Sequence, residues 1–181
     1  MESAPVVSKS LLNKTVCVVG LGYVGLPLAE AFSRHMRTIG YRRNHKAVDE
    51  LNATPGNKIE ATTDPAMINK ADFVIIAVPT PVTMAKDPDM EPVESAIVGQ
   101  NLKKGAIVVL ESTFYPGVTE EVMVPILDRE SGMKSGREFF IGCSPERNNP
   151  GDEEHPSPIF TRLCPGWTGR HWKHSPSYTV W

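Results

Sequence analysis

No apolar run in the sequence approaches the ~20 residues that a membrane-crossing helix needs. Residues 1–13 also lack the apolar stretch of a secretory signal peptide. Neither a membrane partner nor export is expected, and the expected location is cytoplasmic. Cysteine is scarce: Cys17, Cys143 and Cys164 cannot all pair, and they show neither C-x-x-C nor Cys/His metal spacing. A disulfide scaffold and a metal site are therefore not expected, which fits a reducing compartment. An excess of one charge is missing as well, since 19 Lys and Arg face 21 Asp and Glu for a net −2. That balance excludes a polycation coating nucleic acid. With 40% hydrophobic and 22% charged residues, wholesale disorder is excluded too. A chain of 181 residues has room for one full domain and little more.

One further absence divides the chain. Residues 1–155 hold 16 Lys and Arg against all 21 acids, a net −5, whereas residues 156–181 carry Arg162, Arg170 and Lys173 with no acid at all. The same stretch holds all three tryptophans and four prolines, and no helical or alternating period runs through it. It reads as an irregular tail with no fold of its own. An aromatic, basic peptide for nucleic acid is the weaker reading, because base-stacking surfaces are normally built on a sheet.

The body, by contrast, is strongly periodic. Residues 14–19 form a β-branched run ending in glycine, the mark of a buried strand entering a tight turn. Residues 26–33 carry Leu28, Ala29 and Phe32 at helical spacing, 37–41 are short enough for a strand, and 44–51 return to a helical pattern opened by Asn44. A weak strand over 59–62, a short helix over 64–70 capped by Asp64 before Pro65, and a fully apolar strand over 73–78 follow. After a proline-marked loop come a helix over 92–102, a strand over 106–110, a helix over 118–129 and a strand over 139–142. Six strands alternating with helices predict an α/β fold with a mostly parallel, doubly wound sheet.

In such sheets ligands bind beyond the carboxyl ends of the strands. The first strand is followed by Gly20-Leu21-Gly22-Tyr23-Val24-Gly25. Gly20 permits the tight turn, Gly22 lets the backbone approach a pyrophosphate, and Gly25 lets the helix pack close to the strand. The N–H groups at the helix start would face the phosphates. The motif follows a strand, opens a helix and sits in a β-α-β unit of the right size, so dinucleotide binding is expected. Its usual partner, an acid at the end of the second strand, is missing: Arg42 stands there, followed by Arg43. Guanidinium groups would bind the 2′-phosphate of NADP, which a carboxylate would repel. The alternative is that both arginines are solvated loop residues and adenosine affinity is simply reduced.

The later strand ends carry Val78-Pro79-Thr80-Pro81, Glu111-Ser112-Thr113-Phe114-Tyr115-Pro116-Gly117 and Ser144-Pro145-Glu146-Arg147. Together with the glycine loop and its Leu26-Pro27 continuation, these resemble the amino-terminal NAD-binding domain of the UDP-glucose/GDP-mannose dehydrogenase family. They are most similar to the branch that oxidises UDP-N-acetylglucosamine and UDP-N-acetylmannosamine. The resemblance runs from about Lys14 to His155 and implies a Rossmann-like domain over 14–155, with an arm over 1–13 and an unrelated tail over 156–181. It implies oxidation of a sugar C6 alcohol to the carboxylate in two hydride transfers to NAD, through a cysteine thiohemiacetal and thioester, in polysaccharide precursor synthesis. By the same resemblance, Gly20, Gly22, Tyr23, Val24 and Gly25 would hold the pyrophosphate. Lys46 would sit near the adenosine ribose and Thr80 beside the nicotinamide half. Thr113 would position water and cofactor near the reacting carbon, and Glu146 would contact the nicotinamide and serve the hydrolytic step. A carboxylate in that place can act as a general base toward water attacking a thioester.

Two departures touch the adenosine side: Arg42 replaces the family's Asp, and the connection between Leu51 and Ile59 is short. The family's nucleophilic cysteine, the lysine and asparagine that assist it, its dimer helix and its nucleotide-sugar domain are all absent. Cys143 reads as a small buried residue rather than a substitute nucleophile, because no histidine or lysine is placed to lower its pKa. The chain is therefore expected to be a truncated or frame-shifted product, inactive alone and of open oligomeric state. A non-catalytic dinucleotide-binding module, or one that needs a partner chain, is the alternative. A hydroxy-acid dehydrogenase would share the loop but not the Thr-Pro, Ser-Thr and Ser-Pro-Glu set.

Overall fold

The computed structural model describes residues 13–77, 91–111 and 122–144. The β-branched run becomes strand β1, Thr15–Val19, with all five side chains buried. Helix α1, Gly25–Ser33, strand β2, Arg37–Tyr41, and helix α2, His45–Ala53, follow. Asn44 caps α2 as its residue type suggests: its Oδ1 accepts from the Ala47 amide at 3.1 Å. Strand β3, Ile59–Thr62, comes next, and then a turn of 3₁₀ helix over Pro65–Lys70. Asp64 Oδ1 accepts from the Ala66 amide at 2.9 Å, so the expected cap is present, but six residues between Asp64 and Ala71 close as 3₁₀ rather than α. The remaining elements are β4, Phe73–Ile76, α3, Glu91–Gln100, β5, Ile107–Glu111, α4, Val124–Ser131, and β6, Phe140–Ser144.

Element boundaries shift by a few residues. β4 closes at Ile76, with Val78 outside the described residues, and the helix expected over 118–129 is described from a wider turn at Val122 and Met123. It runs on to Ser131 and stops at Gly132, whose φ of 67° is left-handed. Residues 1–12 of the expected arm and the whole tail over 156–181 lie outside the described residues.

The six strands are ordered β3-β2-β1-β4-β5-β6, and every pair is parallel. Parallel pairing puts all the strand ends on one edge, and helices cover both faces. On one face Val16, Val18 and Ile75 pack with Leu28 and Ala29 of α1 and Val48 of α2. On the other, Cys17, Val19, Val74 and Leu110 pack with Ile68, with Val98 of α3 and with Leu127 of α4. Alternate residues of β1 thus feed two separate cores, as the two-residue period of a strand requires. Cys17 is wholly buried, and desolvation pushes its thiol up to about 12, so it has no nucleophilic character.

The short connection after α2 is stitched by asparagines. The Asn52 side chain donates to the Ala61 carbonyl at 2.9 Å and accepts from the Ala61 amide at 3.2 Å, so it serves as a surrogate strand beside the edge strand β3. The opposite end of the sheet is held by Asp72. Its carboxylate accepts from the Thr15 amide at 3.0 Å, from Lys103 Nζ at 2.8 Å and from Lys14 Nζ at 3.4 Å, tying together the starts of β1, β4 and β5. Burial alone would raise this carboxyl. The Lys103 and Thr15 hydrogen bonds and the two lysine charges outweigh it and hold the group below its ordinary value. A carboxyl lowered on folding stabilises fully above its unfolded pKa of about 3.9, and the contribution fades as pH falls through the lower folded value. Asp72→Asn is therefore expected to lower the denaturant midpoint at pH 7, with the gap to the wild type closing as the pH drops below 4. A pH-independent gap would show that packing, not charge, matters there.

Candidate cofactor-binding site

The carboxyl edge of β1 is where the glycine loop begins, and each of its glycines has a distinct reason to be glycine. Gly20 has φ of 96°, a region that side chains avoid. Its amide donates to the Tyr41 carbonyl at 3.0 Å, pinning the turn to the end of β2. Gly25, the first residue of α1, is buried against the same turn. A Cβ there would overlap the Gly20 carbonyl and come within 3.2 Å of the Ala77 Cβ, so only glycine lets α1 start this close to the ends of β1 and β4. Gly22 is the opposite case, because a Cβ built on it meets nothing within 4 Å. The space over its backbone is open, as close approach by a phosphate requires. α1 is capped at Val24 by no side chain; its Leu26 amide donates back to the Gly22 carbonyl at 3.0 Å and its Leu28 amide to the Val24 carbonyl at 3.3 Å.

Two features fit a dinucleotide pyrophosphate: the open space over Gly22, and the place of the loop at the carboxyl ends of the strands where the strand order reverses between β1 and β4. Val24 packs partly into the core beside α1, and Tyr23 stands 77% exposed at the rim.

Leu21 behaves differently from its neighbours. Its side chain is buried across β2, so that a Cβ on Gly40 would come within 2.8 Å of Leu21 Cδ1 and 3.0 Å of Ile59 Cγ2. Its carbonyl accepts a hydrogen bond from Arg42 Nη1 at 3.1 Å. Arg42 also donates its amide to the Thr62 carbonyl at 3.0 Å. Both arginines are exposed, as the reading of solvated loop residues expects, but Arg42 is also bonded to the glycine loop. Adjacency in sequence gave no hint of this, because Leu21 and Arg42 meet only through the parallel pairing of β1 with β2.

Lys46 lies in the first turn of α2, fully exposed, with Nζ 3.9 Å from Glu50 Oε1. That separation leaves it at most a weak, solvent-screened pair. With Arg42, Arg43 and His45 it makes the β2–α2 corner basic. Thr80, Thr113 and Glu146 lie outside the described residues. They follow β4, β5 and β6, which end on the same edge as β1. Cys143 belongs to β6, in register with Leu110. Among the described residues no group of three or more His, Cys, Asp or Glu side chains is placed to hold a metal, and no helix is long and apolar enough to cross a membrane.

The fold and loop have clear relatives. The UDP-glucose/GDP-mannose dehydrogenase family, NAD binding domain, matches residues 52–157, a stretch that includes Thr80, Thr113 and Glu146 but begins after the glycine loop. Protein CapL of Staphylococcus aureus is 42% identical over 171 residues, covering 87% of this chain and 40% of that protein. The UDP-N-acetyl-D-glucosamine 6-dehydrogenase of Salmonella typhi is 40% identical over 170 residues, covering 86% of this chain and 40% of that enzyme. Among solved structures, the NDP-N-acetyl-D-galactosaminuronic acid dehydrogenase of Methanosarcina mazei Go1 superposes with a TM-score of 0.66 at 34% identity, over 78% of this chain and 37% of that one. The chain thus spans about two fifths of the length of the curated relatives it matches.

Proposed function

The chain belongs to the UDP-glucose/GDP-mannose dehydrogenase family, and from that premise we propose that it supplies the NAD-binding half of a UDP-N-acetylhexosamine 6-dehydrogenase in polysaccharide precursor synthesis. The observation that carries this is the glycine loop, where Gly25 seats α1 on Gly20 while the backbone of Gly22 stays open. The Salmonella typhi relative supports the substrate class. Bound over Gly22 and the start of α1, the cofactor would accept the hydride equivalents released when the sugar C6 alcohol is oxidised. This chain's own residues hold the dinucleotide: Gly20, Gly22 and Gly25 shape the pyrophosphate cradle, Tyr23 and Val24 flank it, and Lys46 offers a charge on the adenosine side. We assign Thr80 to the nicotinamide side. Thr113 and Glu146 we assign to water placement and to general-base hydrolysis. Three cysteines with no pairing pattern suit a cytoplasmic enzyme.

The chain spans about two fifths of its curated relatives' length, and the 181-residue chain alone is expected to bind dinucleotide without turning over sugar. Calorimetry with NAD, alongside an absorbance assay for reduced cofactor with UDP-N-acetylglucosamine and UDP-N-acetylmannosamine, tests both halves. Binding without sustained reduction is expected; failure to bind would sink the cofactor reading, and turnover would sink the half-enzyme reading. A second reading concerns cofactor choice. Arg42 brings a guanidinium with five N–H donors where an acid would repel a 2′-phosphate, and the Leu21 carbonyl uses one of them. NADP is therefore expected to bind comparably to NAD, and clearly tighter NAD binding in the same calorimetric series would refute that.

A further inference from the structure

We propose that Arg42 is a positioning residue that braces the glycine loop in its phosphate-ready shape before any cofactor arrives; the link to cofactor affinity rests on the dinucleotide reading above. Three successive attachments fasten the loop to β2 and its end. The Gly20 amide donates to the Tyr41 carbonyl at 3.0 Å. The Leu21 side chain is buried over Gly40. The Leu21 carbonyl takes Arg42 Nη1 at 3.1 Å. The next residue, Gly22, is the one where an added Cβ would meet nothing within 4 Å. The brace therefore acts one peptide before the surface on which a pyrophosphate would lie.

The backbone of Arg42 is fixed by the bond from its amide to the Thr62 carbonyl at 3.0 Å, so the side chain reaches the loop from a held strand end. The usual occupant of this position in dinucleotide folds is an acid that accepts from the ribose. A carboxylate has no proton to donate to a carbonyl, whereas a guanidinium is only a donor. Changing Arg42 to the usual acid should thus not restore tight NAD binding. It would place an acceptor opposite the Leu21 carbonyl and remove the brace. Order supplied in advance lowers the entropy cost of binding.

The test compares Arg42→Lys, Arg42→Met and Arg42→Asp with the wild-type chain by two measurements: amide hydrogen exchange of residues 21–25 without cofactor, and calorimetric NAD affinity. Loss of a single partly exposed, charge-assisted hydrogen bond predicts NAD binding weaker by about three- to ten-fold in the Met and Asp variants. Faster exchange confined to the loop should accompany it. Arg42→Lys keeps an N–H donor and should recover most of both. Unchanged loop exchange in Arg42→Met overturns the proposal whatever the affinities, and so does an Asp variant that binds NAD more tightly than the wild type. Weaker binding with unchanged exchange would mean direct contact with cofactor, not positioning. If the wild type binds no dinucleotide but Arg42→Met still loosens the loop, the cofactor reading fails while the brace stands.

Discussion

Gly25→Ala is expected to abolish measurable NAD binding and to destabilise the domain by about 2–3 kcal/mol, the usual penalty for forcing a methyl group into a packed site. The added carbon would overlap the Gly20 carbonyl and crowd the Ala77 Cβ, both of which belong to the rigid strand edge. Relief requires α1 to lift away from β1 and β4. That would carry off the Leu28 and Ala29 contacts with the sheet and move the first-turn amides out of place. Gly22→Ala is the informative comparison. Its Cβ meets nothing within 4 Å and its φ is not in the left-handed region, so stability should be unchanged while the new methyl group obstructs the phosphate cradle. Thermal unfolding and calorimetry on both variants separate the two roles. Equal stability for the pair would contradict the packing account of Gly25, and undiminished NAD binding by Gly22→Ala would contradict the cradle.

Phe139→Ala should cost stability still more, about 3–5 kcal/mol, as is typical of a large aromatic removed from a core. Phe139 has no exposed surface and is the largest fully buried side chain among the described residues. It enters the core shared by β5, α3 and α4 immediately before β6 begins. Truncation would leave a cavity on the α3–α4 face alone. Urea unfolding should register the loss, while the glycine loop, which follows β1 three strands away from β6 in the sheet, should retain NAD affinity in the folded fraction. A change below about 1 kcal/mol would mean that the site collapses readily around the smaller side chain.

Much of the fold was legible because its signals are local. Each strand pattern from 14–19 to 139–142 matched an element within a few residues, since a buried parallel strand is a short apolar run. Asn44 and Asp64 announced their helix starts, because a cap is a bond to an amide only two or three residues away. The glycine loop was legible for the same reason. The roles of Asn52 and Asp72 were not: the first pairs with Ala61 across a turn, and the second gathers Thr15, Lys14 and Lys103 from two other strand starts.

Arg42 shows the division most sharply. Sequence alone established that a basic residue stands where an acid is usual, that a glycine loop precedes it, and that six strands alternate with helices. These facts depend only on residue type and spacing along the chain. Where the guanidinium goes was decided by tertiary structure, because a long side chain with five donors can reach many acceptors within its radius. Pairing of β1 with β2 brings the Leu21 carbonyl into that radius. The same holds for the two cores: β1 was readable as a buried strand, but which helices cover Cys17 and which cover Val18 depended on the strand order, which no local period encodes.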